Sequence, residues 1–291
     1  MAIINLIELI HGRSYKQLDL NEKEVNNMHG FCNQLMQLIN RMVLSEVQRD
    51  FIDMNNETFI GVFSMDIHQG DLILSSEIID LESMNLKYGY KFKDVIELSP
   101  AGNFLKYYSF NSPLLEYFTY PNVFAEKCKQ IIFNQKFDTI VKDIIGEKNL
   151  TDKVVNLVHL KIEPIAREWC IQNNCLHLFE ESLIKYKEAI YSLDREIPLC
   201  LLVEDKTHPF VLEISKDYDI YLIDKELDLY PRLEDKYINK SDIRALCDVL
   251  FAKNLNIKTF IGKYENNSMY GVSTFSLFLH FYLNYEKSIS V

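Results

Sequence analysis

The chain has 291 residues, which is enough for one large domain or two of ordinary size. Hydrophobic residues make up 48% of it and charged residues 25%, proportions that exclude a disordered protein. The net charge of −11 disfavours general binding to nucleic acid or to an anionic membrane surface, but it leaves room for a local basic pocket.

Six cysteines are scattered along the chain without a Cys-x-x-Cys pair. This pattern disfavours a zinc site and fits buried thiols in a reducing compartment. The apolar residues 1–10 lack a basic flank and a small-residue cleavage site, and no run reaches the roughly 20 apolar residues of a membrane span. We therefore expect a cytoplasmic protein without a signal peptide or a transmembrane segment.

The first half of the chain combines apolar runs with helical patterns. Residues 1–10 are rich in Ile and Leu, which is typical of a strand buried on both faces. Apolar residues spaced by three and four from Leu35 to Val43 predict an amphipathic helix. Further predictions are strands at residues 51–54 and 59–65, a helix start at Ser76, and helical spacing over residues 124–145 that breaks near Gly146.

Strands and helices alternate in the second half, after a predicted domain boundary at residues 146–152. Strands are predicted at residues 154–160, 197–203, 219–223 and 258–261, and helices at residues 179–191, 210–215, 241–253 and 273–285. Ser241 is expected to cap its helix. This alternation predicts an α/β fold with two Rossmann-like, doubly wound domains, at residues 1–148 and 149–291, that face a cleft. Ligands of such folds bind at the carboxyl ends of the strands.

The first candidate stretch is residues 29–34, His-Gly-Phe-Cys-Asn-Gln, which open the first predicted helix. Gly30 lets the backbone approach a ligand closely, and free N–H groups at the start of a helix attract phosphate. An ordinary strand-to-helix connection explains the same residues, so both interpretations stay open.

The second candidate stretch is His159-Leu160-Lys161, with Glu163 two residues further on. Alternation along a strand places His159 and Lys161 on the same side. Lys161 can hold phosphate as a point charge, and His159 can donate to a phosphate or sugar oxygen. The alternative is a hydrogen-bonded core histidine beside a lysine that reaches solvent.

The third candidate stretch joins residues 260–262 to residues 271–276, again with a strand, a glycine and a helix start in sequence. Ser273 and Thr274 can cap the helix while their N–H groups face an anion, or they can serve as a cap alone. Asp248 lies on the preceding helix, where it can accept hydrogen bonds from a guanine edge or be a solvated surface acid.

Taken in this order, the segments resemble the motifs of the GDP-fucose-dependent fucosyltransferases, specifically the protein O-fucosyltransferase-like group. Residues 30–34 look like the family's Gly-rich, Asn-Gln loop, and residues 158–161 look like its His-x-Arg strand motif. Residues 244–248 resemble its helix with an acidic residue near the base. Residues 260–262 and 273–276 look like its C-terminal Ile-Gly-Asn and Ser-Ser-Phe-Ser signature.

The resemblance implies an inverting, metal-independent glycosyltransferase of the GT-B type. GDP-fucose would bind mainly to the C-terminal domain, a glycan or protein acceptor would lie in the cleft, and no cofactor is needed beyond the GDP-sugar donor substrate. The implied donor-binding residues are His29, Gly30, Phe31, Gln34, His159, Asp248, Ser273, Thr274 and Phe275, and catalysis is assigned to Asn33, Lys161 and Glu163.

Sugar transfer leaves a growing negative charge on GDP, and we assign its stabilisation to Lys161 and to the helix start at Ser273 and Thr274. Glu163 is the candidate base that takes the acceptor proton, with Asp66 and His29 as alternatives.

Two positions differ from the family motifs, since the motif arginine is Lys161 and the Asn expected after Gly262 is Lys263. These differences leave open a related GDP-sugar as the donor. They also leave open a catalytically degenerate transferase-fold module that binds a glycan or a protein partner. A hydrolase is disfavoured because the sequence has neither a Gly-x-Ser-x-Gly elbow nor a P-loop.

Overall fold

The structure is a computed structural model that describes residues 31–47, 58–60, 73, 75–94, 117, 119–162, 164–172, 174–238, 240–265 and 272–291. The strands predicted at residues 1–10 and 51–54 lie outside these residues. The candidate residues His29, Gly30, Asp66 and Glu163 also lie outside them.

The first half of the described chain is mainly helical. Its elements are α1 (Phe31–Val47), β1 (Thr58–Ile60), α2 (Ser75–Ile78), α3 (Leu81–Tyr88), β2 (Phe92–Asp94), α4 (Pro121–Lys129) and α5 (Gln135–Glu147). Strands β1 and β2 pair in parallel. The helical spacing over residues 124–145 is confirmed as two helices, but they separate at residues 130–134, where Asn134 caps α5 by accepting from the N–H of Lys136. The predicted break near Gly146 is confirmed, because α5 ends at Glu147, one residue after Gly146.

The second half alternates strands and helices as predicted. Its regular elements are β3 (Val154–His159), α6 (Pro164–Gln172), α7 (Leu176–Tyr191), β4 (Leu199–Leu202), α8 (Pro209–Ile214), β5 (Ile220–Tyr221), α9 (Ser241–Lys253), β6 (Asn256–Gly262), α10 (Thr274–Tyr282) and β7 (Tyr285–Ser290). A π-helical turn, Lys225–Leu229, lies between β5 and α9, and two short 3-10 turns follow it. Strand β7 replaces the end of the helix predicted to reach residue 285. Ser241 is the first residue of α9 rather than its cap, which is Lys240.

Strands β3 to β7 form one parallel sheet in the order β5-β4-β3-β6-β7. The first strand of this sheet along the chain, β3, lies at its centre. Strands β4 and β5 are added on one side of β3, and the chain then crosses over to add β6 and β7 on the other side. This is the doubly wound order, and its topological switch point lies between β3 and β6. The prediction of an α/β fold with a parallel sheet is confirmed. The second doubly wound domain and the boundary at residue 148 stay predictions.

Both faces of the sheet are covered by apolar side chains. Val155 and Leu157 of β3 lie in a core with residues of α1, α4, α5, α9 and α10, whereas Val158 and Leu160 lie in a second core with residues of α7 and α8. Alternation along β3 therefore sends odd-numbered side chains to the larger core and even-numbered ones to the smaller. A strand buried on both faces explains the near-continuous apolar sequence at this position.

Candidate functional site

The carboxyl ends of β3 and β6 lie side by side at the topological switch point. Val158 is in register with Ile261, so His159 and Gly262, the last residues of the two strands, end together. Helix α10 begins beside them with Ser273 as its cap, since the Ser273 hydroxyl accepts a hydrogen bond from the N–H of Ser276 at 3.4 Å. The second and third candidate stretches therefore meet at one edge of the sheet.

Hydrogen bonds centred on Ser276 join the two strand ends to α10. The Ser276 Oγ lies 2.6 Å from Nδ1 of His159 and accepts the backbone N–H of Lys263 at 3.0 Å. The N–H of Ser273 in turn donates to the carbonyl of Lys263 at 2.7 Å. We call the group formed by His159, Lys161, Gly262, Lys263 and residues 273–276 the switch-point site.

Gly262 is required by the close packing of this junction. A Cβ atom at this position would lie 2.8 Å from Cζ of Phe260 and 2.9 Å from Oγ of Ser276. Both distances are shorter than real Cβ contacts, so a side chain would displace the serine that holds His159 and Lys263. The glycine therefore serves close packing between the strand end and the helix.

His159 is a buried, neutral base of the site rather than a cation. Burial, with a smaller contribution from the charge of Lys161, lowers its pKa to about 3. Its ring lies against Phe275 with the centroids 4.7 Å apart, and its carbonyl accepts from the hydroxyl of Tyr186 at 2.8 Å. These contacts fit the hydrogen-bonded core histidine that the sequence left open, and direct contact of the ring with a donor stays a prediction.

Two lysines lie just beyond the carboxyl ends of the two strands. Lys161 follows β3 and Lys263 follows β6. Burial lowers the pKa of Lys263; the nearby thiols of Cys170 and Cys175 raise it, and the charges of Lys185 and Lys161 lower it.

The start of α1 lies within electrostatic reach of Lys161. Burial and the charge of Asp242 raise the pKa of the Cys32 thiol, and the charge of Lys161 acts in the opposite direction. Phe31 is buried against Phe133 at 6.3 Å between ring centroids, so its ring is part of the core. Asn33 and Gln34 lie in the first turn of α1. The roles of Phe31, Asn33 and Gln34 in binding or catalysis stay predictions.

Asp248 lies with a different set of charges at the same edge of the sheet. Its carboxylate pairs with Lys225 on the π-helical turn. Burial raises the pKa of Asp248, whereas Lys225 and Arg244 act to lower it and Glu204, which follows β4, raises it. Asp248 is therefore not a freely solvated surface acid, and its predicted contact with a base would compete with Lys225.

Sequence reasoning missed several residues that build this edge. In the sequence, Ser276 stands out only as part of a motif and Lys263 only as a departure from one. In the structure, the backbone of Lys263 bonds to Ser276 and Ser273. The signal for Ser276 was its position three residues after a capping serine, where its N–H faces the cap. Lys225 had no local signal.

Two kinds of feature are absent from the described residues. None of their helices is both long enough and apolar enough to cross a membrane. Across the same residues, no group of three or more His, Cys, Asp and Glu side chains is arranged to hold a metal ion.

Comparison with known proteins gives a likeness in fold and no likeness in sequence. No model of a known family matches the chain, and no curated protein matches it. Two crystal structures of POFUT1 are similar in fold. The one in complex with GDP-fucose has a TM-score of 0.54 at 13% identity, covering 90% of this chain and 95% of that chain. The apo form has a TM-score of 0.51 at 12% identity, with the same coverage. At this identity the likeness is one of fold alone.

Proposed function

We propose that this protein is an inverting, metal-independent glycosyltransferase that moves a sugar, L-fucose in the first instance, from a GDP-sugar to a hydroxyl of a glycan or protein acceptor. The observation that carries the proposal is the meeting of two strand ends, a capped helix start and two lysines at the switch point of a doubly wound sheet. Ligands of such sheets bind at this point. A fold shared with a protein crystallised with GDP-fucose supports the choice of donor.

The chemistry follows from the charges at the site. The acceptor hydroxyl attacks the anomeric carbon from the face opposite GDP, the bond between that carbon and the diphosphate oxygen breaks, and GDP leaves with one more negative charge. Lys161 stabilises this charge together with the backbone N–H groups of Thr274 and Phe275, which the first turn of α10 fixes before the reaction begins. The N–H of Ser273 is already bonded to the carbonyl of Lys263. Ser273, Thr274 and Phe275 hold the phosphates and pack on the nucleotide.

The acceptor hydroxyl must lose its proton as the new bond forms. Glu163 is the proposed base, since it follows Lys161 by two residues. Neutral His159 holds Ser276 and thereby the start of α10, so its role is to position the helix. Asp248 is the proposed contact for the guanine base or the ribose, at the β4 side of the same edge.

The proposal is tested by incubating purified protein with GDP-fucose and measuring release of GDP and formation of product. We expect Lys161→Ala to lower turnover by about tenfold or more, because a charged hydrogen bond contributes a few kcal/mol. Lys161→Arg keeps the charge and should retain most of the activity. Unchanged turnover in Lys161→Ala would remove Lys161 from the mechanism.

Binding is measured separately from turnover. A nucleotide at about 100 times its dissociation constant raises the free energy of unfolding by about 2.7 kcal/mol, which a thermal shift detects. Stabilisation by a GDP-sugar without turnover on any acceptor would favour a binding module. No stabilisation by any GDP-sugar would contradict the proposed function.

A further inference from the structure

Lys263 is held rigidly at the switch-point site. Its N–H donates to the Ser276 hydroxyl at 3.0 Å and its carbonyl accepts from the N–H of Ser273 at 2.7 Å. Both polar groups of its backbone are therefore held by the start of α10, and Gly262 before it packs closely against Phe260 and Ser276. A residue whose backbone is already fixed loses less conformational entropy when its side chain binds a ligand.

The surroundings of Lys263 are unfavourable for a positive charge. The side chain is partly buried, and the charges that reach it include those of Lys161 and Lys185. Burial and like charges both disfavour an ammonium group. The nearby Cys170 and Cys175 thiols act in the opposite direction.

An anion is the ligand that would relieve this arrangement. The whole chain carries a net charge of −11, so a local cluster of lysines contrasts with the negative charge of the rest of the protein. A diphosphate spreads its negative charge over two phosphoryl groups, which suits two separate lysines better than it suits one. The N–H groups of Thr274 and Phe275, in the first turn of α10, add donors at the same place.

We propose that Lys263 binds the diphosphate of the nucleotide donor together with Lys161, one lysine from each of the two strands at the switch point. This inference rests on the proposed function and assigns Lys263 a role in it. The paired lysines supply two point charges, whereas a single arginine would supply one planar fork. Lys185, which is exposed, adds attraction at the rim.

The same arrangement favours the leaving group over the intact donor. When the bond to the sugar breaks, the diphosphate gains one negative charge, and two lysines stabilise that charge more than one lysine does. Loss of Lys263 should therefore weaken the binding of GDP more than the binding of the GDP-sugar. It should lower kcat as well as affinity.

The test compares Lys263→Gln with Lys287→Gln by isothermal titration calorimetry. Both variants lose one positive charge, but Lys287 is exposed on β7, where it is in register with Thr259. The probes are GDP and inorganic pyrophosphate. We expect Lys263→Gln to lower the affinity for GDP by about tenfold or more and to lower the affinity for pyrophosphate as well. Lys287→Gln should leave both affinities nearly unchanged. Lys263→Arg should restore most of the loss.

The outcomes separate this inference from the proposed function. If wild-type protein binds GDP and folded Lys263→Gln binds it equally well, Lys263 has no role and the transferase proposal stands. If wild-type protein binds pyrophosphate through Lys263 but no guanine nucleotide, the anion site stands and the proposed function fails. If wild-type protein binds neither probe, both are overturned.

Discussion

Lysines at the carboxyl edge of the main sheet are arranged in two ways. On the β4–β5 side, Lys225 pairs with Asp248 and Lys206 pairs with Asp224. At the switch point, by contrast, the largest influences on the charge of Lys263 include burial and the like charges of Lys161 and Lys185. A lysine paired with a carboxylate stabilises the fold and needs no ligand. A buried lysine close to other lysines lowers the free energy of unfolding, and a bound anion would offset that cost. The β4–β5 side is therefore suited to stabilising the fold, and the switch point is suited to binding an anion.

The largest effect is expected where the switch-point site is packed most tightly. Gly262→Ala places a Cβ atom 2.9 Å from Oγ of Ser276, so the junction with His159 and Lys263 must open. We expect a loss of about 1–3 kcal/mol in the free energy of unfolding. A displacement of about 1 Å in a catalytic site costs about a hundredfold in rate, so turnover should fall by that order.

Gly146→Ala is the matched control for this substitution. Gly146 lies in α5, and a Cβ atom there would meet nothing within 4 Å. Alanine is the better helix former, so this variant should gain up to about 1 kcal/mol in the free energy of unfolding and keep its activity. Equal effects of the two substitutions on turnover would contradict the role of close packing at Gly262.

The buried base of the switch-point site should make stability depend on pH. His159 has a pKa of about 3 in the folded protein, against 6.5 for an ordinary histidine. As the pH falls below 6.5 the unfolded chain takes up a proton that folded His159 does not, so the free energy of unfolding decreases until the pH reaches about 3.

The size of this loss approaches a few kcal/mol over the whole range. Urea unfolding of wild type and His159→Gln at several pH values measures it, because glutamine keeps a hydrogen-bonding group but does not titrate. The wild type should lose more stability on acidification than the variant does. Parallel curves would mean that His159 is accessible to protons in the folded protein.

The sequence predicted the parts of this edge that depend on neighbours in the chain. Strand β3 and helix α9 follow from apolar spacing, and the meeting of residues 159–161 with residues 273–275 follows from the rule that parallel strands end together at one edge. The capping role of Ser273 is a local pattern and was also found.

The parts that it did not predict depend on contacts between distant segments. Lys225, on the π-helical turn that follows β5, reaches Asp248 across 23 positions. Ser276 bonds to His159 across 117 positions, and no spacing within either stretch indicates that bond. Strand β7 was not predicted, because only Tyr285 and Ile289 among its six residues are apolar.

Substitution of the two kinds of lysine should affect the free energy of unfolding differently. Lys225→Gln leaves the carboxylate of Asp248, whose side chain is 21% exposed, without its partner, and should cost about 1–3 kcal/mol in the free energy of unfolding. Lys263→Gln removes a charge that burial and like charges disfavour, so the free energy of unfolding should stay the same or rise slightly. Denaturant titration without ligand compares the two. A large loss of stability in Lys263→Gln would mean that Lys263 is a structural residue.

The smallest effect is expected at the two thiols beside Lys263. Cys170 and Cys175 are partly exposed, whereas Cys32, Cys128, Cys200 and Cys247 are buried. Burial and the neighbouring Cys175 raise the pKa of Cys170, while the charge of Lys263 acts to lower it. An anion bound to Lys263 offsets that charge, so GDP or pyrophosphate should slow alkylation of Cys170 by iodoacetamide by about two- to threefold.

Peptide mass spectrometry measures this alkylation residue by residue. The four buried cysteines should stay unlabelled with and without ligand, which confirms that the protein remains folded. In Lys263→Gln, alkylation of Cys170 should already be slow and should not respond to pyrophosphate, because the charge that the anion would offset has been removed. If GDP binds the wild type but leaves the rate at Cys170 unchanged, the diphosphate lies away from Lys263, and the contrast between the two sides of the sheet edge would not extend to ligand binding.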